Sequence, residues 1–481
     1  MKILLLISIS VFIFSCNRST PKELVVLTNL VPAQQRYLQN EVLSKFEKLY
    51  KCKVRLVNYD DDDELEAILN DENKSSEITL ASIPLELTQS LAAANKITPM
   101  TDIVASHVLL FDVASYHYKF SDIGRIKGIY YYLPHRIEVP VLFYLKSKAR
   151  DAIKKFDDYE VEINSVLKTM NGFGLPKNYV LEENSNEWDL YDIFVLGYIW
   201  KKENNPKDEN GYVLAREMNN YSNLNMLCYN ALALGATWDN IVNMSGDEVE
   251  EVFLWEMVMG NHKIFNSLSY GKNVSNADVY KAFGNGDAFM AYFSQKDCFN
   301  ILEGTDESSM IPYIFDASDV GITLVPMIVP FSLNKSGKLL SAPQRISAMR
   351  GYYWGIPKNA EDKELAYLLM QYLNNRVINT KESVRFGAIP VREDVLMNMQ
   401  NIYDERWLGE GYTAALGQIM RSIDDKDWLS NIRANDLTVC SGYVYLRGII
   451  GDSAQSYKNS DINKYKIRSF AEQYFEQKDK N

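Results

Sequence analysis

The chain has 481 residues, 47% of them hydrophobic and 24% charged, which is enough for at least two hydrophobic cores. Its net charge is −12, from 63 acidic and 51 basic residues, and no basic stripe interrupts this balance. A nucleic acid or another anionic polymer is therefore not the expected partner.

The first sixteen residues are typical of an export signal. An unbroken run of apolar and small residues at Ile3–Ser15 stops at Cys16, and it is too short to span a bilayer comfortably. The sequence IFSC that ends at Cys16 resembles the lipobox of bacterial lipoproteins, whose cysteine is acylated. The resemblance implies a signal peptide at residues 1–15, a lipid on Cys16 and a tether at residues 16–22. An ordinary leader with an incidental cysteine is the alternative.

Strands and helices alternate after the tether. The apolar run ELVVLTNL at Glu23–Leu30 is typical of a strand that is buried on both faces. Further strands are predicted at residues 51–58 and 78–83, and helices at residues 63–70 and 85–94. The helix between the first two strands is predicted from apolar residues at helical spacing, Leu38, Val42, Phe46 and Leu49. Such units predict a right-handed α/β sheet with parallel strands.

The pattern changes at Gly128–Lys146, where extended stretches contain five aromatic residues and two prolines. We predict that the chain crosses between lobes here. Helical periodicity then dominates up to Phe293, and the chain is predicted to be extended at Val320–Val329. A strand at Tyr352–Ile356 and a helix capped by Asn359 follow. The predicted order is an α/β lobe, a helical lobe, α/β again and a helical tail.

Several ordered segments resemble the extracellular solute-binding proteins of ABC importers, in the large sugar-binding group related to maltose-binding protein. The segments are FEKLYKCKV at 46–54, ITLASIP at 78–84, YYYLPHRIEVPVLFYLKS at 130–147, AFGNGDAFMAYFSQ at 282–295, GITLVPM at 321–327, and GYYWGIPKNAEDKELAYLLMQYLNN at 351–375 with FGAIPVRED at 386–394. They occur in the family's order and cover roughly residues 23 to 395.

This resemblance implies an α/β fold of two lobes, of the type II periplasmic-binding-protein kind, with mostly parallel sheets flanked by helices and a helical C-terminal tail. It places residues 23–134 and 322–390 in the first lobe, and residues 135–321 and 391–481 in a helix-rich second lobe. It also implies an exported receptor, anchored by its lipid to the outer face of the cell membrane or held in the periplasm or outer membrane. Such a receptor closes on a sugar or oligosaccharide and delivers it to an ABC permease.

Polar candidates for the ligand site come from the ends of the first two predicted strands. Ligands of open α/β sheets bind beyond the carboxyl ends of strands, which favours Asn29, Tyr59 and Asp60. Asp60 begins an acidic run that lacks the glycine and the alternating oxygens of a calcium loop, so a solvated helix N-terminus is the favoured interpretation. Arg350 is a candidate for an anionic ligand group, with a surface role as the alternative.

Aromatic candidates are expected because sugar rings stack on flat side chains. Trp188 lies on a predicted helix, and the other candidates match family positions that face the ligand: Tyr292, Phe293, Tyr352, Tyr353 and Trp354. Adjacent strand residues point to opposite faces, so either Tyr352 with Trp354 or Tyr353 alone reaches the ligand. The alternative for each candidate is a place in the core.

No catalytic motif, phosphate loop or metal-ligand spacing is found in the sequence, and we expect neither a cofactor nor a metal. Four further cysteines are widely spaced and expected to be mostly buried free thiols: Cys52, Cys228, Cys298 and Cys440. Two other functions stay open. One is a surface carbohydrate-binding lipoprotein of a polymer-uptake system, with a mostly helical fold, and the other is an exported glycoside hydrolase.

Overall fold

A computed structural model describes residues 22–104, 115–204, 212–216, 220–242, 246–265, 274–297, 317–332, 345, 349–398 and 408–421. The predicted signal peptide, Cys16, Cys298 and Cys440 lie outside these residues. Cys52 and Cys228 are buried free thiols, as predicted. None of the helices in the described ranges is both long and apolar enough to cross a membrane.

Strands in the described ranges form three sheets. The strands are β1 Lys22–Thr28, β2 Cys52–Asn58, β3 Leu80–Pro84, β4 Arg125–Ile126, β5 Ile129–Tyr130, β6 Tyr132–Glu138, β7 Pro140–Leu145, β8 Leu214–Ala215, β9 Met290–Ser294, β10 Val320–Thr323 and β11 Arg350–Gly355. The first sheet has the order β2-β1-β3-β11-β6, the second has the order β10-β7-β9-β8, and β4 pairs with β5. The alternative of a mostly helical fold without such sheets is therefore wrong.

Helices flank both large sheets. They are α1 Pro32–Tyr37, a π-helix at Leu38–Leu43, α2 Ser44–Tyr50, α3 Asp62–Asn70, α4 Glu72–Glu77, α5 Thr88–Ala93, α6 Met100–Val104, α7 Tyr118–Ile123, α8 Lys146–Lys154, α9 Phe156–Asn171, α10 Leu190–Asn204, α11 Asn220–Ala233, α12 Trp238–Val242, α13 Asp247–Asn261, α14 Asn276–Gly284, α15 Lys363–Leu373, α16 Arg376–Phe386, α17 Glu393–Leu396 and α18 Leu408–Arg421. Short 3₁₀ turns lie at Leu85–Leu87, Ser185–Glu187 and Ala317–Asp319.

Both sheets are mixed, whereas the sequence predicts mostly parallel strands. β1 is parallel to β2 and β3, as the early strand and helix units require. β11 enters the first sheet between β3 and β6 and runs antiparallel to both. In the second sheet β8 is parallel to β9, and β7 is antiparallel to β9 and β10. The difference arises where strands return from the other lobe.

Two hydrophobic cores follow the two large sheets. The first contains the buried run Leu24–Leu27 of β1, together with Tyr353 and Trp354 of β11. The second contains most of α10 and the strands β7 and β9. These are the two lobes of the predicted two-lobed α/β fold, which is confirmed.

Local irregularities explain two differences from the predicted helices. The helical spacing predicts Leu49 on the apolar face, but it is 66% exposed. Leu49 lies in the last turn of α2, one residue before the helix ends at Tyr50, whereas Phe46 of the same helix is fully buried. Asn359 does not cap α15, because the side chain of Asp362 accepts the hydrogen bond from the backbone N–H of Leu365 at 2.9 Å.

The chain first passes between the sheets at Val139, which joins β6 to β7. This crossing lies a few residues beyond the boundary predicted at 134/135. β10 lies wholly in the second sheet, although the prediction divides it between the lobes. The prediction places residues 391–396 in the second lobe, but Val391, Val395 and Leu396 pack in the first core. α18 contributes to both cores.

Candidate functional site

A cavity of about 490 Å³ lies between the two lobes, beside the crossing at Val139. The first lobe contributes Asp62, Pro84, Glu86, Glu138, Arg350 and Tyr352 to its wall, among others. The second lobe contributes Arg216, Tyr229, Trp255, Glu256, Tyr292 and Lys296. The position agrees with the expectation that ligands bind between lobes.

Strand register determines which side chains of the first lobe reach the cavity. β11 pairs with β6 so that Arg350 lies opposite Glu138 and Tyr352 lies opposite Arg136. Gly351 permits this close pairing, because a Cβ atom there would lie 2.8 Å from the carbonyl oxygen of Arg136. The result is a row of charged and aromatic side chains at the edge of the first sheet that faces the second lobe.

Glu138 is the centre of an ionic cluster that joins the lobes. Its Oε1 lies 2.7 Å from Nζ of Lys296, which follows β9 in the second lobe, and 3.6 Å from Nε of Arg136. Burial opposes ionisation of this carboxyl, but Lys296 and Arg136 outweigh burial and hold the pKa of Glu138 below its usual value. Glu138 is therefore ionised and paired at neutral pH.

A second ion pair lies on the opposite wall. Both guanidinium Nη atoms of Arg216 donate to the carboxylate of Glu256, with 2.9 Å between Nη1 and Oε1. Both side chains are buried, and the guanidinium lies 4.2 Å above the ring of Phe265. This bidentate geometry compensates both charges in a desolvated wall.

Asp297 is a further acidic group at the cavity. Burial raises the pKa of its carboxyl. The hydroxyl of Tyr280 donates to Oδ1, and the backbone N–H of Ser294 donates to Oδ2 at 2.9 Å. These contacts hold Asp297 as part of the wall.

Aromatic side chains from both lobes line the cavity. Tyr352 and Tyr292 are half-buried, and the indole N–H of Trp255 donates to the carbonyl oxygen of Val329 at 2.6 Å. Burial raises the pKa of Tyr352 to about 12, so its phenol is neutral and retains its proton for donation. The cavity thus combines flat apolar surfaces with polar groups, as a small-molecule pocket does.

Three aromatic candidates from the sequence line the cavity: Tyr352, Tyr292 and Phe293. The ring of Phe293 packs into the second core against Phe143, with the centroids 5.2 Å apart. Its side chain is only 2% exposed, so its main role is in packing. Whether Tyr352 and Tyr292 contact a ligand stays a prediction.

Tyr353 and Trp354 do not line the cavity, which corrects the predicted site. Both are fully buried in the first core. The hydroxyl of Tyr353 donates to the carbonyl oxygen of Phe120 at 3.1 Å, and the indole of Trp354 stacks on His135 at 4.2 Å. The cavity lies at the start of β11, and a shift in register after Tyr352 separates it from the following residues. Tyr352 is therefore the one of these three that reaches the cavity.

Trp188, also predicted to contact the ligand, does not line the cavity either. It is 1% exposed in the second core, where its ring packs edge-on against Tyr144 at 4.9 Å. Its indole N–H donates to the carbonyl oxygen of Glu182 at 2.8 Å. The nearby Leu190 lines the cavity instead.

The polar candidates also lie behind or outside the cavity wall. Tyr59 is buried and its hydroxyl donates to the carbonyl oxygen of Ser82 at 2.8 Å. The carbonyl oxygen of Asn29 accepts from Nη2 of Arg136 at 2.9 Å. Asp60 is exposed, because the acidic run caps α3 through Asp61 and turns Asp62 toward the cavity.

Sequence reasoning missed the charged residues of the wall, Glu138, Lys296, Arg216 and Glu256. The first two were detectable, because each adjoins a segment that was already recognised as a crossing or as ligand-facing. Arg216 directly follows β8 and Glu256 lies in α13, 40 residues apart, and only folding brings them together.

Comparison with known proteins agrees with this geometry. The family described as bacterial extracellular solute-binding protein matches residues 31–376. A comparison with curated protein sequences gives no match.

Solved structures share the two-lobed fold. The GacH receptor of Streptomyces glaucescens, solved unliganded and with acarbose, has a TM-score of 0.63 at 13% identity, over 95% of this chain and 98% of that chain. Maltose-bound MalE3 of T. maritima has a TM-score of 0.61 at 12% identity, over 94% and 98%. An ABC transporter solute-binding protein of Thermotoga lettingae, bound to alpha-D-tagatose, has a TM-score of 0.62 at 14% identity, over 94% and 98%.

Proposed function

The chain belongs to the bacterial extracellular solute-binding proteins, and we propose that it closes on a carbohydrate in the cavity between its lobes and delivers it to an ABC permease. The cavity carries this proposal: about 490 Å³ between two lobes, with aromatic surfaces beside hydrogen-bonding groups. Its volume lies within the range of roughly 300–1,000 Å³ that is common for small-molecule sites.

The two ion pairs of the wall favour a neutral, hydroxyl-rich ligand. Glu138 is paired with Lys296, and Glu256 is paired with Arg216. Paired and desolvated charges do not require a counter-charge from the ligand. Lys296 retains donors beyond the one that it gives to Glu138, and ligand hydroxyls suit such fixed polar partners.

Structural neighbours support the same class of ligand. The three proteins were solved with acarbose, maltose and alpha-D-tagatose. The identity is 12% to 14%, so these structures support the fold and guide the choice of sugars to test.

Anchoring and delivery form the second part of the proposal. The lipobox-like sequence supports a lipid on Cys16, which would hold the receptor at an extracytoplasmic membrane surface. A receptor that is tethered near its permease meets it at a raised effective concentration. Deletion of the gene should abolish uptake of the ligand by the host, and uptake should return with the wild-type gene.

Isothermal titration calorimetry with a panel of sugars tests ligand binding. The panel contains maltose, maltotriose, tagatose, N-acetylglucosamine and the charged control glucuronate. We expect saturable binding of a neutral sugar without turnover, and native mass spectrometry of protein from its own host should show the same ligand class. Tyr118→Ala is a matched control, since Tyr118 is 60% exposed and does not line the cavity.

Two results would contradict the proposal. One is a co-purified ligand that is not a carbohydrate, together with no binding across the panel. The other is hydrolysis of an oligosaccharide that is lost on replacement of a cavity acid, which would favour a glycoside hydrolase.

A further inference from the structure

Arg136 lies behind a tyrosine of the cavity wall. Its guanidinium carbon is 4.2 Å from the ring centroid of Tyr352, its cross-strand partner on β11. Arg136 is 6% exposed and is not among the residues that line the cavity, whereas Tyr352 is half-buried and lines it. The arginine therefore supports the ring from the protein side and does not itself reach a ligand.

Neighbouring acceptors hold the guanidinium in this position. Nη2 donates to the carbonyl oxygen of Asn29 at 2.9 Å, and Nη1 donates to Oε1 of Gln34 at 3.1 Å. Nε lies 3.6 Å from Oε1 of Glu138 and has no hydrogen-bond partner among the described residues. A separation of 3.6 Å is too long for a hydrogen bond. The geometry thus favours stacking on the ring over the best pairing with Glu138.

Glu138 has a closer cation than Arg136, because Nζ of Lys296 lies 2.7 Å from its carboxylate. A role limited to neutralising Glu138 therefore does not explain why the guanidinium of Arg136 lies over the ring of Tyr352. The hydroxyl of Tyr352 makes no hydrogen bond to other described residues, so packing and this cation–π contact determine where the ring lies.

We infer that Arg136 is a positioning residue of the ligand site, which holds the ring of Tyr352 in place for contact with the bound ligand. An aromatic ring that is fixed before binding loses less conformational freedom when the ligand arrives. The carbonyl oxygen of Asn29 takes part indirectly, through the guanidinium that it orients. The inference rests on the proposed function only for the identity of the ligand, a sugar, that contacts the ring of Tyr352.

Fluorine NMR without ligand tests the positioning directly. 3-Fluorotyrosine is incorporated at position 352 in the wild type, in Arg136→Gln and in the control Arg385→Gln. Arg385 also lies over a tyrosine, with 5.0 Å between the guanidinium and the ring of Tyr37, but it does not line the cavity. We expect a shifted or broadened resonance in Arg136→Gln and an unchanged one in Arg385→Gln. An unchanged resonance in folded Arg136→Gln overturns the inference.

Arg136→Lys provides a second variant if Arg136→Gln does not fold. Lysine keeps a positive charge beside Glu138 but lacks the planar guanidinium. The same change in the Tyr352 resonance is expected, while the melting temperature should stay closer to that of the wild type. A wild-type resonance in Arg136→Lys would show that charge alone is sufficient and would contradict positioning by stacking.

A double-mutant cycle then connects the ring to binding. The probe is maltose, or the tightest-binding sugar of the panel above. Arg136→Gln should weaken binding roughly 2- to 30-fold, which corresponds to a cation–π contact of about 0.5 to 2 kcal/mol. In the Tyr352→Ala background the same change should weaken binding less than about twofold, because the partner ring is gone. Equal weakening in both backgrounds overturns the inference, whereas no binding of any sugar, with a changed fluorine resonance, counts against the proposed function alone.

Discussion

Tyr352 and Trp354 lie two residues apart on β11, but their truncation to alanine should affect different properties, ligand affinity in one case and stability in the other. Tyr352 is half-buried and lines the cavity between the lobes. Trp354 is fully buried in the first core and stacks on His135 at 4.2 Å. We therefore expect Tyr352→Ala to weaken binding and Trp354→Ala to destabilise the fold.

The magnitude for Trp354→Ala follows from its burial. Removal of a fully buried large aromatic side chain costs about 3 to 5 kcal/mol of unfolding free energy. The indole N–H of Trp354 has no hydrogen-bond partner among the described residues, so its removal loses no hydrogen bond. We therefore expect a value near the lower end, about 3 kcal/mol.

The magnitude for Tyr352→Ala follows from its place at the cavity. Loss of an aromatic contact in a ligand site costs about 1 to 3 kcal/mol of binding, or roughly 5- to 150-fold in affinity. The free energy of unfolding should change by only about 1 kcal/mol, because Tyr352 lines the cavity and is not part of the fully buried core.

Urea denaturation followed by circular dichroism measures the stability of each variant, and calorimetry with the best sugar of the panel measures affinity. Trp354→Phe is the matched control, since it keeps a ring in the core and should recover most of the lost stability. If both alanine variants destabilise the fold and neither alters affinity, β11 is only scaffold and Tyr352 does not belong to the site. If Trp354→Ala weakens binding while the protein stays stable, the present division of β11 is refuted.

The other predictions concern anchoring, closure and pH. Cys16→Ser should release the protein from membranes, and a variant that remains bound after a salt wash would place the anchor elsewhere. Small-angle scattering should show a smaller radius of gyration with saturating sugar, because hinge closure brings the lobes together, and an unchanged profile would count against closure on binding. Burial lowers the pKa of His262 from 6.5 to about 4, so the unfolded chain takes up a proton first as the pH falls. Stability from this group should be complete above pH 6.5 and should decline by roughly 3 kcal/mol toward pH 4, and His262→Gln should flatten this decline in urea titrations at several pH values.

Local pattern predicted the elements that depend on near neighbours. The apolar run of β1 and the alternation of β2 appear where the sequence places them. The order of apolar and polar residues at consecutive positions indicates whether one or both faces of a strand are buried. Leu49 shows the limit of this reasoning, since it has the predicted helical spacing but is exposed in the last turn of α2.

The candidate site was predictable only in part, because local pattern does not show which distant residues pack against a strand. The alternation rule on β11 placed Tyr352 and Trp354 on one face, but it contains no information about how far along the strand the cavity extends. The register shift after Tyr352 and the stacking of His135 on Trp354 depend on β6, which is more than 200 residues earlier in the chain.

The sequence by itself determined the family, the two-lobed α/β fold and the segments that approach the region between the lobes. Size and periodicity indicate the lobes and their α/β units, and the resemblance of ordered motifs to the solute-binding proteins implies the family. Only the tertiary structure decided the charged wall, in which Glu138 pairs with Lys296 and Arg216 pairs with Glu256. Such pairs form between residues that are 158 and 40 positions apart, and they acquire defined partners only when the packed sheets exclude water from their charges.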